Sequence, residues 1–339
     1  MNVGIIGCGL IGKKRANALK AFSNDKLLVV CDINYERALN LANEYKCKVE
    51  QNWEKVTLNP DIDVIINSTS NDFLEKITLS ALKNGKHVLC EKPLGRNSVE
   101  AKSMVDTAQF YGKILKVGFN HIFHPAIIKA KELLLNGEIG KIINIRAFYG
   151  HGSRPGMENE WRSKKIISGG GELLDQGVHL IDLIRWFAGD IKSVFGKIET
   201  KFWNIDVEDN AYAILNCDND VTAIFHVSWT CWKNTFYFEI FGTDGYLKIT
   251  GLGGSYGNES LELGKRNISG GRPSIQKYEY PDVDLSWESE WNEFRVSIEE
   301  KRQPLRNGWD GLVANQVVEA IYKSNELKTE IFIKNLGQN

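Results

Sequence analysis

Three stretches of the chain hold reactive or ligand-binding residue types at spacings that chemistry can use. The first is Gly7-Cys8-Gly9-Leu10-Ile11-Gly12. Its glycine spacing fits a phosphate-binding turn: Gly7 permits the tight turn and Gly9 lets the backbone approach a pyrophosphate. Gly12 lets the next helix pack closely, so that N–H groups at its start face the anion, with Leu10 and Ile11 completing the turn. Asp32, 20 residues after Gly12, ends a second apolar run where a carboxylate reaches an adenosine ribose. It would accept from a 2′-hydroxyl and repel a 2′-phosphate, and Ile33, Asn34 and Tyr35 offer no cation, which favours NAD over NADP. Arg37 is read as a solvated helix residue. The second stretch is Glu91-Lys92-Pro93, a lysine at the end of an apolar run, where it would stand over a cofactor cleft or simply lie on the surface. The third is Asp175, His179 and Asp182. On a helix of 3.6 residues per turn they share one face, while Leu173, Leu180, Ile184 and Phe187 line the other. A carboxylate and an imidazole so placed suit general acid/base work. A structural pair and a two-ligand metal site are the other readings of that spacing, but no further Cys/His/Asp cluster has metal-ligand spacing, so no metal is expected.

The elements that must position these groups alternate through the first part of the chain. Strands are predicted at 3–6, 28–31, 63–68, 86–90 and 113–119, with helices at 13–21, 35–46, 72–84 and 98–111 between them. Such β-α-β repetition builds a parallel sheet whose ligands gather at the carboxyl ends of its strands, which selects Thr69 and Asn71 as further cofactor-binding candidates. A boundary near 121 divides the chain into 1–121 and 122–339. The second part opens with a helix to about 136 and a strand at 141–149, and a loop carrying His151 and Arg154 follows. Seven strands then run through 191–281, at 191–200, 207–216, 220–230, 235–242, 245–250, 259–263 and 275–280, with tight turns that imply antiparallel pairing. Amphipathic helices are predicted at 286–302 and 310–325. The fold class is therefore α/β, an N-terminal Rossmann domain followed by a C-terminal α+β domain with a large, mainly antiparallel, open-faced sheet. Alternating aromatics at Trp229, Phe236 and Phe238 predict that one sheet face covers helices and the other meets a partner.

Four stretches carry a family resemblance. G-C-G-L-I-G followed by G-K-H-V-L-C-E-K-P, then Trp161-Arg162 and Gly169-Gly170-Gly171-Glu172-Leu173-Leu174-Asp175-Gln176-Gly177-Val178-His179, is similar to the Gfo/Idh/MocA sugar and inositol oxidoreductases. The resemblance implies that Lys92 is catalytic, that Glu91, Asn120, Trp161 and Arg162 lie on the cofactor side, and that Asp175 and His179 complete the catalytic set. Substrate contacts would come from Lys92, His121, His151, Arg154, Asp175 and His179. Two positions depart from the family pattern: His121 replaces a more frequent arginine, and Thr69-Ser70-Asn71-Asp72-Phe73-Leu74 lacks the histidine usual after that strand. The implied activity is NAD-dependent hydride transfer at a hydroxyl or ketone of a sugar or sugar derivative, possible nucleotide linkage being suggested by Arg154 and Arg162. An NAD-dependent glycoside hydrolase and a sugar-sensing regulator are the alternatives on the same fold. An open-faced sheet in such proteins joins subunits, which implies a homodimer or homotetramer.

Composition excludes other classes. With 42% hydrophobic and 25% charged residues and a formal net charge of -1 across 339 residues, nothing favours nucleic acid or an anionic membrane. The length suits two domains, since one core stops growing below ~250–300 residues. No apolar run approaches the ~20 residues of a membrane span, and the first strand begins without a signal-like segment, so a cytoplasmic protein is expected. The six cysteines show no C-x-x-C pair and read as buried free thiols.

Overall fold

The computed structural model describes residues 1–281 and 283–333. The chain forms two compact units, and each is built differently.

The first unit alternates strand and helix: β1 (Asn2–Ile6), α1 (Leu10–Leu19), β2 (Lys26–Cys31), α2 (Tyr35–Tyr45), β3 (Lys48–Glu50), α3 (Trp53–Leu58), β4 (Val64–Asn67), α4 (Asn71–Lys83), β5 (His87–Cys90), α5 (Ser98–Phe110) and β6 (Leu115–Val117). All six strands pair in parallel in the order β3-β2-β1-β4-β5-β6. The order reverses between β1 and β4, the switch point at which ligands of doubly wound sheets bind. Val3, Ile5, Val64 and Ile66 are fully buried, as a sheet covered on both faces requires. Two elements here were not legible in the sequence. β3 and α3 lie in 46–62, where a three-residue edge strand and a six-residue helix are too short to show a period. The strand expected at 113–119 is confined to Leu115–Val117, and the chain turns at once into a 3₁₀ segment at Asn120–Phe123.

The second unit begins with α6 (Pro125–Leu135) and β7 (Ile142–Gly150). After α7 (Lys165–Ser168) come a π-helical turn (Leu173–Gly177) and α8 (Val178–Ala188). A run of strands follows: β8 (Ile191–Glu199), β9 (Asn210–Cys217), β10 (Thr222–Ser228), β11 (Thr235–Gly242), β12 (Gly245–Thr250), β13 (Glu259–Lys265) and β14 (Ser274–Tyr280). α9 (Ser286–Glu299), α10 (Gly308–Leu327) and β15 (Ile331–Phe332) close the chain. The nine strands stand in the order β14-β13-β12-β11-β7-β10-β9-β8-β15. Every pairing is antiparallel except β7 with β10, because β7 enters the sheet from a distant point of the chain. The inner face buries Ala211, Ala213, Leu215, Phe225, Val227, Phe236, Phe238 and Ile240. Trp229, Phe236 and Phe238 therefore belong to the covered side. The open face is made by the alternate residues: Phe195, Tyr212, Ile214 and Ile224 are exposed there, and the Tyr212 and His226 rings stack at 4.1 Å.

A single cut at 121 does not describe the units. Ile166–Gly169 and Trp287–Asn315 belong with the first. The reason is burial: Trp291 and Phe294 of α9 join the core of Val3, Ile5, Val30 and Leu89, and the Trp291 Nε1 donates to Asp25 at 2.8 Å. Glu290, one residue before, meets Arg15 inside that core.

Candidate active site

In the first unit the glycine turn is shaped by what each glycine faces. Gly7 has φ +97°, and a Cβ there would overlap the Ser68 carbonyl. A Cβ at Gly12 would overlap the Gly7 carbonyl oxygen, so α1 begins inside the glycine motif at Leu10 rather than at 13. Gly9 has nothing within 4 Å of its Cβ position, and as N-cap of α1 it brings no side chain to the helix's first N–H groups. Open space over unpaired helix N–H groups is what a pyrophosphate requires. Leu10 is 73% exposed at the same point, with Ile11 half-buried behind it. Asp32 follows β2 and does more than wait for a ribose: one oxygen accepts from Cys8 N–H at 2.7 Å and the other from Asn34 N–H at 2.8 Å, so it also fixes the glycine turn. Across the switch point, Thr69 donates to Asn67 Oδ1 at 2.8 Å, and the buried Asn71 amide donates to the Ser168 carbonyl at 2.7 Å, which ties 166–169 into this unit.

Glu91 follows the end of β5. The carboxylate of Glu91 is buried and committed to Arg15, whose guanidinium also meets Glu290 and lies 4.6 Å from the Trp287 ring. Lys116, also fully buried, donates to the Leu305 carbonyl at 2.6 Å beside Glu290 and Glu293. Glu91 thus anchors the turn that carries Lys92. Lys92 is half-buried, and its bond to Pro93 is cis. On the far side of that turn, the Asn315 amide donates to the carbonyls of Leu94 at 2.8 Å and Asn97 at 3.2 Å.

In the second unit, the segment before His179 is held by a residue that nothing in the sequence marks. Glu208, buried, accepts from the N–H groups of Gly171 and Leu173 at 3.0 Å each and from the Tyr322 hydroxyl at 2.8 Å. Burial pushes its carboxyl up, against the pull of those donors. The glycine run is the sequence's imprint of this contact: a Cβ at Gly171 would overlap the Glu208 backbone, one at Gly170 the Tyr322 hydroxyl. Asp175 then sits in the π-helical turn rather than on a regular helix, and π turns recur at functional sites. His179 and Asp182 lie in α8 and are buried, whereas Asp175 is half-buried. Asp175 and Arg162 stand 3.6 Å apart, and that guanidinium lies 4.4 Å from the Trp161 ring.

His179 is stacked on His121, ring centroids 3.7 Å apart and 16° from parallel. His121 is buried, with Nδ1 3.2 Å from the Asn120 amide oxygen and Nε2 3.3 Å from the Tyr149 hydroxyl. The Asn120 amide nitrogen donates to the Ser286 hydroxyl at 2.9 Å. Both residues are therefore held within the unit rather than displayed. Tyr149 packs edge-on against Tyr256 at 4.8 Å, and Gln176 donates to the Tyr256 hydroxyl at 3.1 Å. Burial raises the Tyr149 phenol well above its ordinary value, and Tyr256, Glu172 and Asp175 add to that. Tyr149, Tyr256, Gln176 and Glu208 escape sequence reasoning: Tyr149 is hidden in strand alternation, and Tyr256 rides on the glycine-rich 251–257 loop.

The loop candidates separate from this cluster. His151 Nδ1 accepts from Ser153 N–H at 3.0 Å. Arg154 is exposed and paired through two hydrogen bonds with Glu160, at 2.7 and 2.8 Å. Among the described residues no group of three or more His, Cys, Asp or Glu is placed to hold a metal ion. All six cysteines are free, and burial pushes the thiols of Cys8, Cys31, Cys90 and Cys217 up to about 12.

A doubly wound parallel domain with an open phosphate turn, joined in sequence to a mostly antiparallel sheet domain, defines an α/β protein of the nucleotide-dependent oxidoreductase class. Comparison with known proteins specifies it: residues 1–119 match the oxidoreductase family NAD-binding Rossmann fold, and residues 127–248 match the GFO/IDH/MocA C-terminal domain. The chain belongs to the Gfo/Idh/MocA family. A levoglucosan dehydrogenase from Pseudarthrobacter phenanthrenivorans is 31% identical over 211 residues, 59% of this chain and 54% of that protein, so the match spans about half of that relative. D-glucoside 3-dehydrogenase from Escherichia coli is 27% identical over 98% of this chain and 97% of its own length. Among solved structures, levoglucosan dehydrogenase in complex with NADH and levoglucosan superposes with a TM-score of 0.91 over 99% of this chain and 100% of that one, at 24% identity, a likeness of fold.

Proposed function

We propose that the protein is an NAD-dependent dehydrogenase or reductase acting on a hydroxyl or ketone of an uncharged sugar or sugar derivative. The observation that carries this reading is the Asp175–His179 pair in a family member whose glycine turn is open at Gly9. NAD would be held by Gly7, Gly9, Leu10, Ile11 and Gly12 at its pyrophosphate and by Asp32 at its ribose, with Thr69, Asn71, Asn120, Trp161 and Arg162 as further cofactor contacts. When bound, it supplies the hydride acceptor or donor. His179 takes the proton from the substrate hydroxyl during oxidation and returns it during reduction. Asp175 favours the charged imidazole, and Lys92 stabilises negative charge on the substrate oxygen. The substrate is uncharged because the arginines suited to a phosphate or carboxylate are engaged within the chain, Arg154 by Glu160 and Arg162 by Asp175. No feature of the chain favours the glycoside hydrolase or the regulator. A panel of neutral and acidic sugars, followed by NADH absorbance and by free-sugar release, tests the assignment. NADH formation with a neutral sugar is expected; sugar release without net NADH, or binding without turnover, would overturn it.

In this reading 1–121 serve the cofactor and 122–339 the substrate and assembly, with 166–169 and 287–315 returned to the first unit. The open face of the second sheet joins copies of the chain into a homodimer or homotetramer, supported by the exposed Phe195, Tyr212, Ile214 and Ile224. Light scattering at micromolar concentration tests this, and Ile214→Glu should yield monomers. The reduced thiols suit the cytoplasm, and among the described residues no helix is long and apolar enough to cross a membrane.

A further inference from the structure

Phe202 and Trp232 are large aromatic side chains that the second unit holds in the open, 60% and 66% exposed. Their rings meet edge to face at 4.8 Å, and Trp203 stands edge-on to Phe202 at 5.2 Å. Single apolar residues on a surface are ordinary, but this pair is adjoined and its backbone is clamped. The N–H groups of Lys201, Phe202 and Trp203 all donate to the buried Asp209 carboxylate, at 2.8 to 3.1 Å. Trp203 Nε1 donates to the Trp229 carbonyl at 2.9 Å, and its ring packs on a small core of Met157, Val207 and Trp229. Trp232 lies against Gly152, where a Cβ would come within 3.1 Å of its ring. Rings fixed in this way lose little freedom when a flat ligand stacks on them.

The pair borders the imidazole cluster. β7 and β10 run in parallel with Gly150 opposite Ser228, so the segments after 150 and after 228 leave the sheet at the same end. Tyr149 carries its ring to His121 and His179, and the chain from Tyr149 to Gly152 spans at most about 11 Å. Asn234 donates to the Ser255 carbonyl at 3.0 Å and so anchors the loop whose Tyr256 packs on Tyr149. Arg162, which meets Asp175, shares its 3₁₀ turn with Ser163, and the Ser163 hydroxyl donates to the Met157 carbonyl in the small core. An aromatic platform contiguous with Asp175 and with His179 is a place for the part of a substrate beyond the reacting ring. A pyranose suits it, because its C–H groups make a flat apolar face while its hydroxyls stay at the rim and in water. We propose that Phe202 and Trp232 form a stacking subsite for a second pyranose ring, glycosidically linked to the sugar that reacts, so that the preferred substrate is a neutral disaccharide or longer glycoside. The proposal rests on the reading of the site as one for an uncharged sugar and adds the size of that sugar.

Titration calorimetry on the full chain saturated with NADH, which lets a sugar bind without being oxidised, tests this. The probes are the methyl glycosides of glucose, galactose, mannose and xylose, each beside a disaccharide that carries the same unit at its non-reducing end. For the unit that the site accepts, the disaccharide should bind at least about tenfold more tightly than the methyl glycoside. Trp232→Ala should erase that preference and leave the methyl glycoside within about twofold of wild type. Phe202→Ala should reduce the preference, and Trp232→Phe, which keeps a ring, should retain part of it. Both side chains are exposed, so these variants should melt with the wild type. Equal binding of the two sugars by the wild type, or an equal loss of both in Trp232→Ala, would overturn the proposal and leave the uncharged-sugar reading in place. A fall in light-scattering mass in Trp232→Ala would overturn it as well, by assigning the pair to contact between copies of the chain. Methyl glycosides that neither bind nor turn over would remove the sugar reading itself, and the subsite with it.

Discussion

The glycine turn of the first unit and the imidazole cluster of the second do related work by opposite means. The turn is backbone chemistry: its shape follows from the absence of Cβ atoms at Gly7 and Gly12 and from open space at Gly9, within one stretch of six residues. The cluster is side-chain chemistry assembled from four separated segments, since His121, Tyr149, His179 and Tyr256 arrive on a 3₁₀ segment, a strand, a helix and a loop. A site of the first kind tolerates variation around it and fails at single glycines. A site of the second kind depends on several residues at once.

The largest effect that would break this comparison is at the reacting groups. His179→Ala and Lys92→Ala should each lower turnover by about 10²-fold or more while NAD binding and thermal stability persist. Stopped-flow turnover beside a calorimetric NAD titration checks both. Normal turnover in His179→Ala, or variants that do not fold, would make the cluster structural and leave the first unit as the only functional region in the comparison.

Next come the glycines. Gly12→Ala forces a Cβ into the Gly7 carbonyl and should cost about 2 kcal/mol of stability as well as NAD affinity. Gly9→Ala meets nothing in the protein, so it should fold as wild type and lose affinity for NAD alone. Denaturant midpoints with and without NAD separate the two. If Gly9→Ala destabilises the free protein as much as Gly12→Ala does, the open space at Gly9 is not reserved for a ligand.

The same contrast governs what could be read in the sequence. The parallel character of the first sheet and the spacing of the glycine turn and Asp32 were legible because local patterns determine them. Asp175 and His179 were legible as a pair four residues apart, but the π turn was not, because it depends on Glu208 capping the segment from 35 and 37 residues away. Tyr149 looks like one more alternating strand residue, and only the fold brings its hydroxyl to within 3.3 Å of His121 Nε2. Glu91 adjoins Lys92 and so reads locally as a cofactor contact. Glu290, which shares the Arg15 guanidinium with it, lies 199 residues later in a helix that returns to the first unit, an arrangement no local pattern encodes.

A smaller effect distinguishes the units by acid. His87 at the start of β5 accepts a hydrogen bond from Ile114 N–H at 3.0 Å, and burial, then Lys113, lower its pKa to about 4. The unfolded chain binds a proton there below its ordinary value near 6.5 and the folded one does not. Its contribution is therefore fully present above about 6.5 and declines as pH falls toward about 4. Thermal melts across that window should show a drop that His87→Asn reduces, since its amide oxygen can accept the same bond without titrating. An unchanged slope in the variant would assign the acid sensitivity to other groups.

The smallest effect expected is at Arg154, and its smallness is informative. An arginine on an exposed loop beside His151 invites the reading of a grip on a phosphate or carboxylate, yet both arms of its guanidinium that bond are taken by Glu160. Exposed ion pairs contribute little to stability, so Arg154→Gln should leave the melting temperature unchanged. If the sugar is uncharged, KM should also stay within about twofold, because no substrate charge loses a partner. A phosphorylated or carboxylated substrate would give the opposite result: KM would rise at least about tenfold, the cost of removing a charge-assisted hydrogen bond. If that arginine has to leave Glu160 on binding, Glu160→Gln alone would lower KM for the acidic sugar, so measuring the two single variants with one neutral and one acidic sugar fixes the charge of the substrate and shows whether this loop takes part in recognition.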